Sequence, residues 1–156
     1  MAAPSRPRDP QSVLFVCGMN SVRSPMAAAL LEAFAHNKIY VRSAGVKKGE
    51  LDPFAVAVMA EMGHDISRHR PMTFEEVEDW EGLNFDLIVT LSPEAHHKAL
   101  DVTRTNAAEV EYWPTPDPVG IGDTREQRLA AYREVMDGLL MRIRKRFGYG
   151  RGIAHV

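Results

Sequence analysis

The sequence predicts a single-domain, three-layer α/β fold in which a parallel sheet lies between helices. Short apolar runs alternate with segments of helical periodicity along the chain, a pattern typical of parallel strands joined by crossover helices. The first run, SVLFVC at 12–17, contains no alternating polar residues, as expected for a strand covered on both faces. A length of 156 residues fits one domain with one sizeable core.

Four strands and five helices are predicted. The strands cover residues 12–17, 38–44, 84–91 and 110–113. The helices cover residues 26–36, 53 to about 62, 73 to about 80, 93 to about 100, and 124–148. Each helix begins beside a Ser, Thr or Asp that suits the N-cap, which is Ser24 for the first helix. Thr73 and Thr124 are followed three residues later by Glu76 and Gln127, the spacing of a capping box.

Charge and cysteine content exclude several classes of protein. Lys and Arg total 19 against 21 Asp and Glu, a formal net charge of -2, so no nucleic-acid or membrane partner is expected. One cysteine excludes an intramolecular disulfide and a cysteine-rich zinc site. We expect no metal and no organic cofactor. Residues 1–11 are predicted to be a disordered tail before a domain at 12–150, and a cytoplasmic location is expected because no signal-like apolar run occurs.

A short loop joins the first strand to the first helix, at the sheet edge where α/β proteins bind ligands. We call it the anion loop; it consists of Gly18, Met19, Asn20, Ser21 and Val22. Cys17 precedes it, and its thiolate would be the nucleophile. Arg23 follows it with a planar guanidinium that binds two phosphoryl oxygens at once. Ser24 offers a hydroxyl to the Cys17 sulfur, so the segment predicts a phosphate site with a covalent nucleophile.

The alternative is a purely structural use of the same residues. Free cysteines are usually buried in cores, so Cys17 would be a core thiol. Arg23 would then be a surface charge and Ser24 only a helix cap. The combined spacing of the three residues favours the functional interpretation.

The stretch VLFVCGMNSVRSPMAAALLEAF at 13–34 resembles the phosphate-binding loop of the low-molecular-weight protein tyrosine phosphatases and of the related arsenate reductases. The resemblance extends to residue 147. It implies a four-stranded parallel sheet of order 2-1-3-4, a phosphocysteine intermediate on Cys17, and phosphate binding by Arg23. It also implies a phosphate-ester substrate, phosphate or another oxyanion as ligand, with a phosphoprotein among the possible substrates.

The same resemblance assigns four supporting residues. It implies that Asn20 holds the loop in a strained shape and that Ser24 stabilises the thiolate. Ser43 and His69 match residues that hydrogen-bond to the loop asparagine. The alternatives are a strand-end turn residue for Ser43 and a solvated loop histidine for His69.

The general acid is predicted to be Asp117 in the segment YWPTPDPVG. Asp117 follows the last strand, so it belongs to the same sheet edge as Cys17, and neighbouring prolines stiffen its backbone. The family also carries its acid in an Asp-Pro pair on this loop. The alternatives are a structural role for Asp117 in a proline turn and Asp123 as the acid.

The sequence departs from the family in four places. Val119-Gly120 and Val46-Lys47-Lys48 stand where relatives commonly carry aromatic residues, which argues against a phosphotyrosine preference and predicts a rim without aromatic rings. Met19 replaces the usual loop glycine, a change that could alter the loop geometry. Val22 replaces a second cysteine, so oxidised Cys17 would need an external thiol for its recovery.

Three functions therefore compete. The first is a phosphatase that hydrolyses phosphate monoesters through Cys17, with Asp117 as general acid and base. The second is an arsenate reductase that uses an external thiol or glutaredoxin. The third is a weakly active anion-binding module.

Overall fold

The computed structural model describes residues 10–104 and 107–148. The four strands are β1 (Ser12–Cys17), β2 (Tyr40–Gly45), β3 (Leu87–Thr90) and β4 (Glu109–Tyr112). The five helices are α1 (Arg23–Phe34), α2 (Pro53–Glu61), α3 (Phe74–Glu81), α4 (Pro93–Val102) and α5 (Arg125–Phe147). All strands are parallel in the order β2-β1-β3-β4, which confirms the predicted fold and strand order. The predicted tail lies outside the described residues, except for Pro10 and Gln11.

Strand β1 lies at the centre of the molecule and separates two apolar cores. Val13 and Phe15 pack into a core formed with α1, α2 and α5. Leu14 and Val16 point to the opposite face and pack into a second core formed with α3 and α4. Because both faces are covered, β1 is apolar and buried at every position from 13 to 17.

The carboxyl ends of all four strands meet at one edge of the sheet. Cys17 pairs with Gly45 at the end of β2, and Val16 pairs with Thr90 at the end of β3. The connections that leave this edge include the anion loop, a rim segment (residues 46–52) and the Asp117 loop (residues 113–124). The fold therefore brings the three predicted functional segments together, as open parallel sheets do at this edge.

Four helices have the side-chain caps that their sequences predict. Thr73 and Thr124 both form complete capping boxes, and Asp52 and Ser92 accept hydrogen bonds from first-turn N–H groups. No helix in the described ranges is both long and apolar enough to cross a membrane.

Helix α1 differs from the prediction at its N-terminus. It begins at Arg23 instead of residue 26, and its N-cap is Val22, which provides no side-chain hydrogen bond. The prediction that Ser24 caps the helix was wrong, because the Ser24 hydroxyl is buried against the sulfur of Cys17. The first turn of α1 also contains no acidic residue, so its N-terminal amide groups stay free of side-chain acceptors.

Candidate active site

The backbone of the anion loop is oriented by its carbonyl groups. The carbonyl oxygens of Cys17, Gly18, Met19 and Ser21 accept hydrogen bonds from the rim segment. The donors are the N–H groups of Val46, Lys47, Gly49 and Asp52, at 2.9 to 3.2 Å. Because the carbonyls are directed outward to this segment, the amide groups of the loop are directed to the other side.

Those amide groups are available to a ligand. Within residues 10–104 and 107–148, no protein acceptor takes the N–H groups of residues 18–22. They adjoin the N-terminus of α1, whose dipole adds positive potential. A set of free N–H donors at a helix N-terminus is a binding site for phosphate and similar anions.

Cys17 and Arg23 face the same cleft, which has a volume of about 630 Å³. Cys17 is only 2% exposed, as the structural alternative expected, yet it lines the cleft. The Arg23 side chain is partly buried, and its Nη1 donates to the carbonyl oxygen of Thr115 at 3.0 Å. This bond attaches the guanidinium to the Asp117 loop and fixes the direction of its remaining donors.

Asn20 is buried at the centre of a hydrogen-bond network. It is fully inaccessible to solvent and has a φ of 55°, in the left-handed region that asparagine tolerates better than most residues. Its Oδ1 accepts from the backbone N–H of Met72 at 2.8 Å, which identifies the oxygen end of the amide. Its Nδ2 donates to the hydroxyl oxygens of Ser24 at 2.7 Å and Ser43 at 3.0 Å.

His69 completes this network. Its Nε2 lies 3.1 Å from Asn20 Oδ1, and since that oxygen only accepts, Nε2 carries the proton. Burial lowers the pKa of His69 below its ordinary value. The hydrogen bond to Asn20 raises this pKa, but its effect is smaller than that of burial. Both Ser43 and His69 therefore contact the loop asparagine, at the positions that the resemblance implied.

The Ser24 hydroxyl is positioned to donate to the Cys17 sulfur. Its oxygen already accepts from Asn20, so its own proton has two acceptors in reach. These are Cys17 Sγ at 2.9 Å and the Ala44 carbonyl oxygen at 3.3 Å. A thiolate has no proton to give, so with ionised Cys17 the hydroxyl donates to sulfur and stabilises its charge.

Asp117 lines the same cleft as Cys17 and Arg23. It is exposed, and its Oδ1 accepts from the N–H of Val119 at 3.0 Å, so it also has the turn role that was its alternative. The rival acid Asp123 lies at the start of α5, where its N–H donates to Gln127 Oε1 at 2.7 Å. The geometry therefore brings together Cys17, Arg23 and Asp117.

A model of the low molecular weight phosphotyrosine protein phosphatase family matches residues 12–147. The chain belongs to this family. An arsenate reductase of Bacillus subtilis (strain 168) is 32% identical over 134 residues, which are 85% of this chain and 92% of that relative.

Two solved structures show the same fold. A tyrosine phosphatase of Erwinia amylovora superposes with a TM-score of 0.72 at 22% identity, covering 90% of this chain and 93% of the other. An arsenate reductase in a phosphate-binding state superposes with a TM-score of 0.66 at 27% identity, covering 86% of this chain and 95% of the other. Solved structures with this fold therefore include a phosphatase and an arsenate reductase.

The prediction of a rim without aromatic rings is wrong for this family member. Phe54 from α2 and Tyr132 from α5 line the cleft, and their ring centroids are 5.4 Å apart. The rings come from two helices, whereas relatives commonly carry aromatic residues in the loops at positions 46–48 and 119–120. Tyr132 lies among the buried residues of α5, and the sequence signal that distinguishes it from its apolar neighbours is its hydroxyl, which needs a polar partner when buried.

That partner is Asp52. Tyr132 Oη donates to Asp52 Oδ2 at 2.6 Å, while Oδ1 of the same carboxylate caps α2 by accepting from Phe54 N–H. Burial raises the pKa of Tyr132 above its ordinary value, and the negative charges of Asp52 and Asp117 raise it further. Tyr132 therefore stays protonated and joins α5 to the rim segment.

Met19 does not distort the backbone of the anion loop. Neither Gly18 nor Met19 has a positive φ, whereas Asn20 does. The loop therefore needs no glycine at position 19 for conformational reasons, and the concern about altered loop geometry is not supported by the backbone.

Gly45 is the glycine that the site requires. A Cβ at this position would lie 2.2 Å from the carbonyl oxygen of Lys47 and 2.7 Å from the backbone nitrogen of Asn20. We expect Gly45→Ala to displace the anion loop and to lower the free energy of unfolding by about 1–3 kcal/mol. Binding of inorganic phosphate, measured by calorimetry, should weaken by at least about tenfold because the donors lose their alignment.

Gly138→Ala is the matched control. Among the described residues, no atom beyond the adjoining residues and the nearby backbone of the helix lies within 4 Å of a Cβ added there, and the residue is exposed within α5. It should stabilise the protein by up to about 1 kcal/mol without affecting phosphate binding. Equal phosphate affinity in Gly45→Ala and the wild type would contradict the packing argument.

The lowered pKa of His69 predicts a loss of stability as the pH falls through about 6.5. Unfolded His69 takes up a proton near its ordinary pKa of 6.5, whereas the folded protein does so only at lower pH. In this pH window the unfolded state binds more protons than the folded state. The free energy of unfolding therefore becomes smaller as the pH falls. Urea unfolding between pH 7.5 and 5 should show that the stability advantage of wild type over His69→Gln shrinks as the pH is lowered.

The exposed His97 on α4 supplies the control for this titration. The difference in free energy of unfolding between the wild type and His97→Gln should not shrink as the pH is lowered. A stability difference between wild type and His69→Gln that grows toward acid pH would show that the sign is wrong.

Proposed function

We propose that the protein is a cysteine-dependent phosphatase that hydrolyses phosphate monoesters. One observation carries the proposal. Cys17 and Arg23 line one cleft at the free amide groups of the anion loop. This is the set of groups that a tetrahedral dianion and a nucleophilic thiolate require.

Binding places the phosphoryl group against positive potential. The loop amides and the two-pronged donor of Arg23 hold the non-bridging oxygens, and the α1 dipole adds to their effect. Negative charge on these oxygens persists in the transition state of phosphoryl transfer, so fixed donors that need no reorganisation stabilise it. The bond from Arg23 to Thr115 keeps the guanidinium in place while this happens.

The first chemical step forms a phosphocysteine. The Cys17 thiolate attacks phosphorus, the S–P bond forms as the P–O bond to the leaving group breaks, and protonated Asp117 gives its proton to the departing oxygen. Before the attack, the Ser24 hydroxyl at 2.9 Å holds the thiolate charge. When sulfur leaves again in the second step, the same hydroxyl stabilises it.

The second step returns the enzyme to its starting state. Asp117, now a carboxylate, takes a proton from water as the water oxygen attacks phosphorus and the S–P bond breaks. The products are phosphate and the Cys17 thiolate, with Asp117 protonated. No metal or organic cofactor takes part. A similar arsenate reductase has been solved in a phosphate-binding state, which supports oxyanion binding by this protein. A phosphoprotein substrate and a cytoplasmic location stay predictions.

Replacing the nucleophile tests the reaction directly. Cys17→Ser should lower hydrolysis of an aryl phosphate by about a thousandfold or more, because a hydroxyl is far less nucleophilic than a thiolate at neutral pH. Steady-state release of phosphate measures this, and urea unfolding checks that the variant is folded. Turnover equal to that of the wild type would exclude the phosphocysteine mechanism. Phosphate binding without turnover in the wild type would instead indicate a non-catalytic anion-binding module.

The acid is tested with a series of aryl phosphates whose leaving groups differ in basicity. Asp117→Asn should slow the release of poor leaving groups by about a hundredfold or more, with a much smaller effect on good ones, because only poor leaving groups need the proton. Asp123→Asn is the matched control and should follow the wild type across the series. A parallel dependence in Asp117→Asn and the wild type would remove Asp117 from this role.

Arsenate reduction is the second candidate function, and the arsenate reductase of Bacillus subtilis with 32% identity over 85% of this chain favours it. Cys17 would attack arsenate and release water to give a thiol-bound arsenic(V) intermediate. With one cysteine in the chain, both electrons must come from outside. Two molecules of a low-molecular-weight thiol, or a glutaredoxin, would reduce arsenic to arsenite and leave as a disulfide.

An assay of arsenate-dependent thiol consumption separates the two functions. Thiol oxidation in proportion to arsenate, without phosphate release from esters, would support the reductase. Hydrolysis of esters without thiol oxidation would support the phosphatase.

A further inference from the structure

The side chain of Met19 is placed where a leaving group would pass. Met19 lies two residues after the nucleophile, is 46% exposed, and lines the same cleft as Cys17 and Phe54. We propose that Met19 is a specificity-determining residue that favours phosphate esters with planar, apolar leaving groups. The proposal rests on the phosphatase function and names the substrate class of that site.

The position of Met19 is set by its contacts. Its carbonyl oxygen accepts from Gly49 N–H at 3.0 Å, which holds the residue against the rim segment. A Cβ at residue 49 would lie 3.2 Å from the Met19 methyl carbon and 2.9 Å from Ser21 Oγ. Gly49 therefore leaves the room that the Met19 thioether occupies, so this side chain is packed on one side and open to the cleft on the other.

The cleft has a polar floor and apolar walls. The floor consists of the loop amides with Arg23, and it suits the phosphoryl group. Apolar side chains from each of the bordering segments form the walls: Met19, Leu51, Phe54 and Val119. A group attached to the phosphoryl oxygen leaves the floor between these walls. Val22 of the anion loop also lines the cleft, but it is only 5% exposed whereas Met19 is 46% exposed, so Met19 is the apolar side chain that the loop presents to the leaving group.

A thioether gives this wall a chemical preference. Methionine sulfur is polarisable and contacts aromatic rings favourably, and the flexible side chain adapts to a flat surface. A glycine at position 19 would leave no side chain in the cleft. The preference for a planar leaving group is therefore a consequence of a residue that the backbone geometry of the loop did not require.

The test compares two ligands with the same phosphonate group and different substituents. Calorimetry measures the affinities of phenylphosphonate and methylphosphonate for the full 156-residue chain. The wild type should bind phenylphosphonate more tightly, and Met19→Ala should reduce the affinity ratio by about three- to tenfold. The ratio cancels any effect on the phosphonate site that both ligands share. A ratio equal to that of the wild type would overturn the proposal.

Two further variants sharpen the result. Met141→Ala, which changes a methionine that is 69% exposed on α5, should keep the wild-type ratio. If Met19→Ala binds neither ligand, Met19→Gln decides, because it keeps the length of the side chain and ends in a polar amide. A lowered ratio in that variant supports the proposal, and an unchanged ratio refutes it.

Measurements of binding and of turnover distinguish the role of Met19 from the phosphatase function on which it rests. The kcat/KM ratio for phenyl phosphate over methyl phosphate should fall in the Met19 variants in parallel with the affinity ratio. If the wild type binds both phosphonates but hydrolyses neither ester, the phosphatase function fails while the affinity ratio still tests Met19.

Discussion

The buried amide of Asn20 is the interaction on which the site depends. Its left-handed backbone carries a strain of about 1–3 kcal/mol, which the structure offsets with hydrogen bonds from separate segments. Ser24 belongs to α1, Ser43 to β2, and the remaining partners to the segment before α3. Loss of Ser24 or Ser43 would leave a buried N–H of Asn20 without its acceptor, and that costs more than the bond itself contributes. The shape of the anion loop is therefore determined largely outside the loop.

This arrangement separates the groups that hold the loop from the groups that bind the ligand. Carbonyl oxygens bond to the rim segment and the Asn20 side chain bonds to the interior, so the amide N–H groups are left for an anion. The packing of β1 between two cores fixes Cys17 at the edge of that arrangement. Preorganisation of this kind is what makes fixed dipoles effective in a transition state, because they need not reorient as charge develops.

The sequence predicted the parts that depend on local rules. Periodicity located the strands and helices, and the capping boxes at Thr73 and Thr124 were correct because a cap is decided within one turn. Ser24 was misassigned, since a serine beside a helix start serves either a cap or a tertiary contact, and local sequence does not distinguish them. No sequence pattern identifies Met72 as part of the site, because it contributes only its backbone N–H, which donates to Asn20. The ring of Phe54 reaches the cleft through the packing of α2 against α5, a tertiary contact with no local signature.

The difference between hydrolysis and arsenate reduction lies in the second nucleophile, since both reactions begin with the same attack by Cys17. With a single cysteine, the protein offers no second thiol of its own, so the second nucleophile would be water for the phosphocysteine and an external thiol for the arsenic(V) intermediate. Asp117 lines the same cleft as Cys17, and in the proposed mechanism it is left as a carboxylate after protonating the leaving group. A carboxylate activates water by accepting its proton, whereas it repels an incoming thiolate. The charge that the first step of ester cleavage generates thus favours water for the second, and this asymmetry supports hydrolysis as the primary reaction.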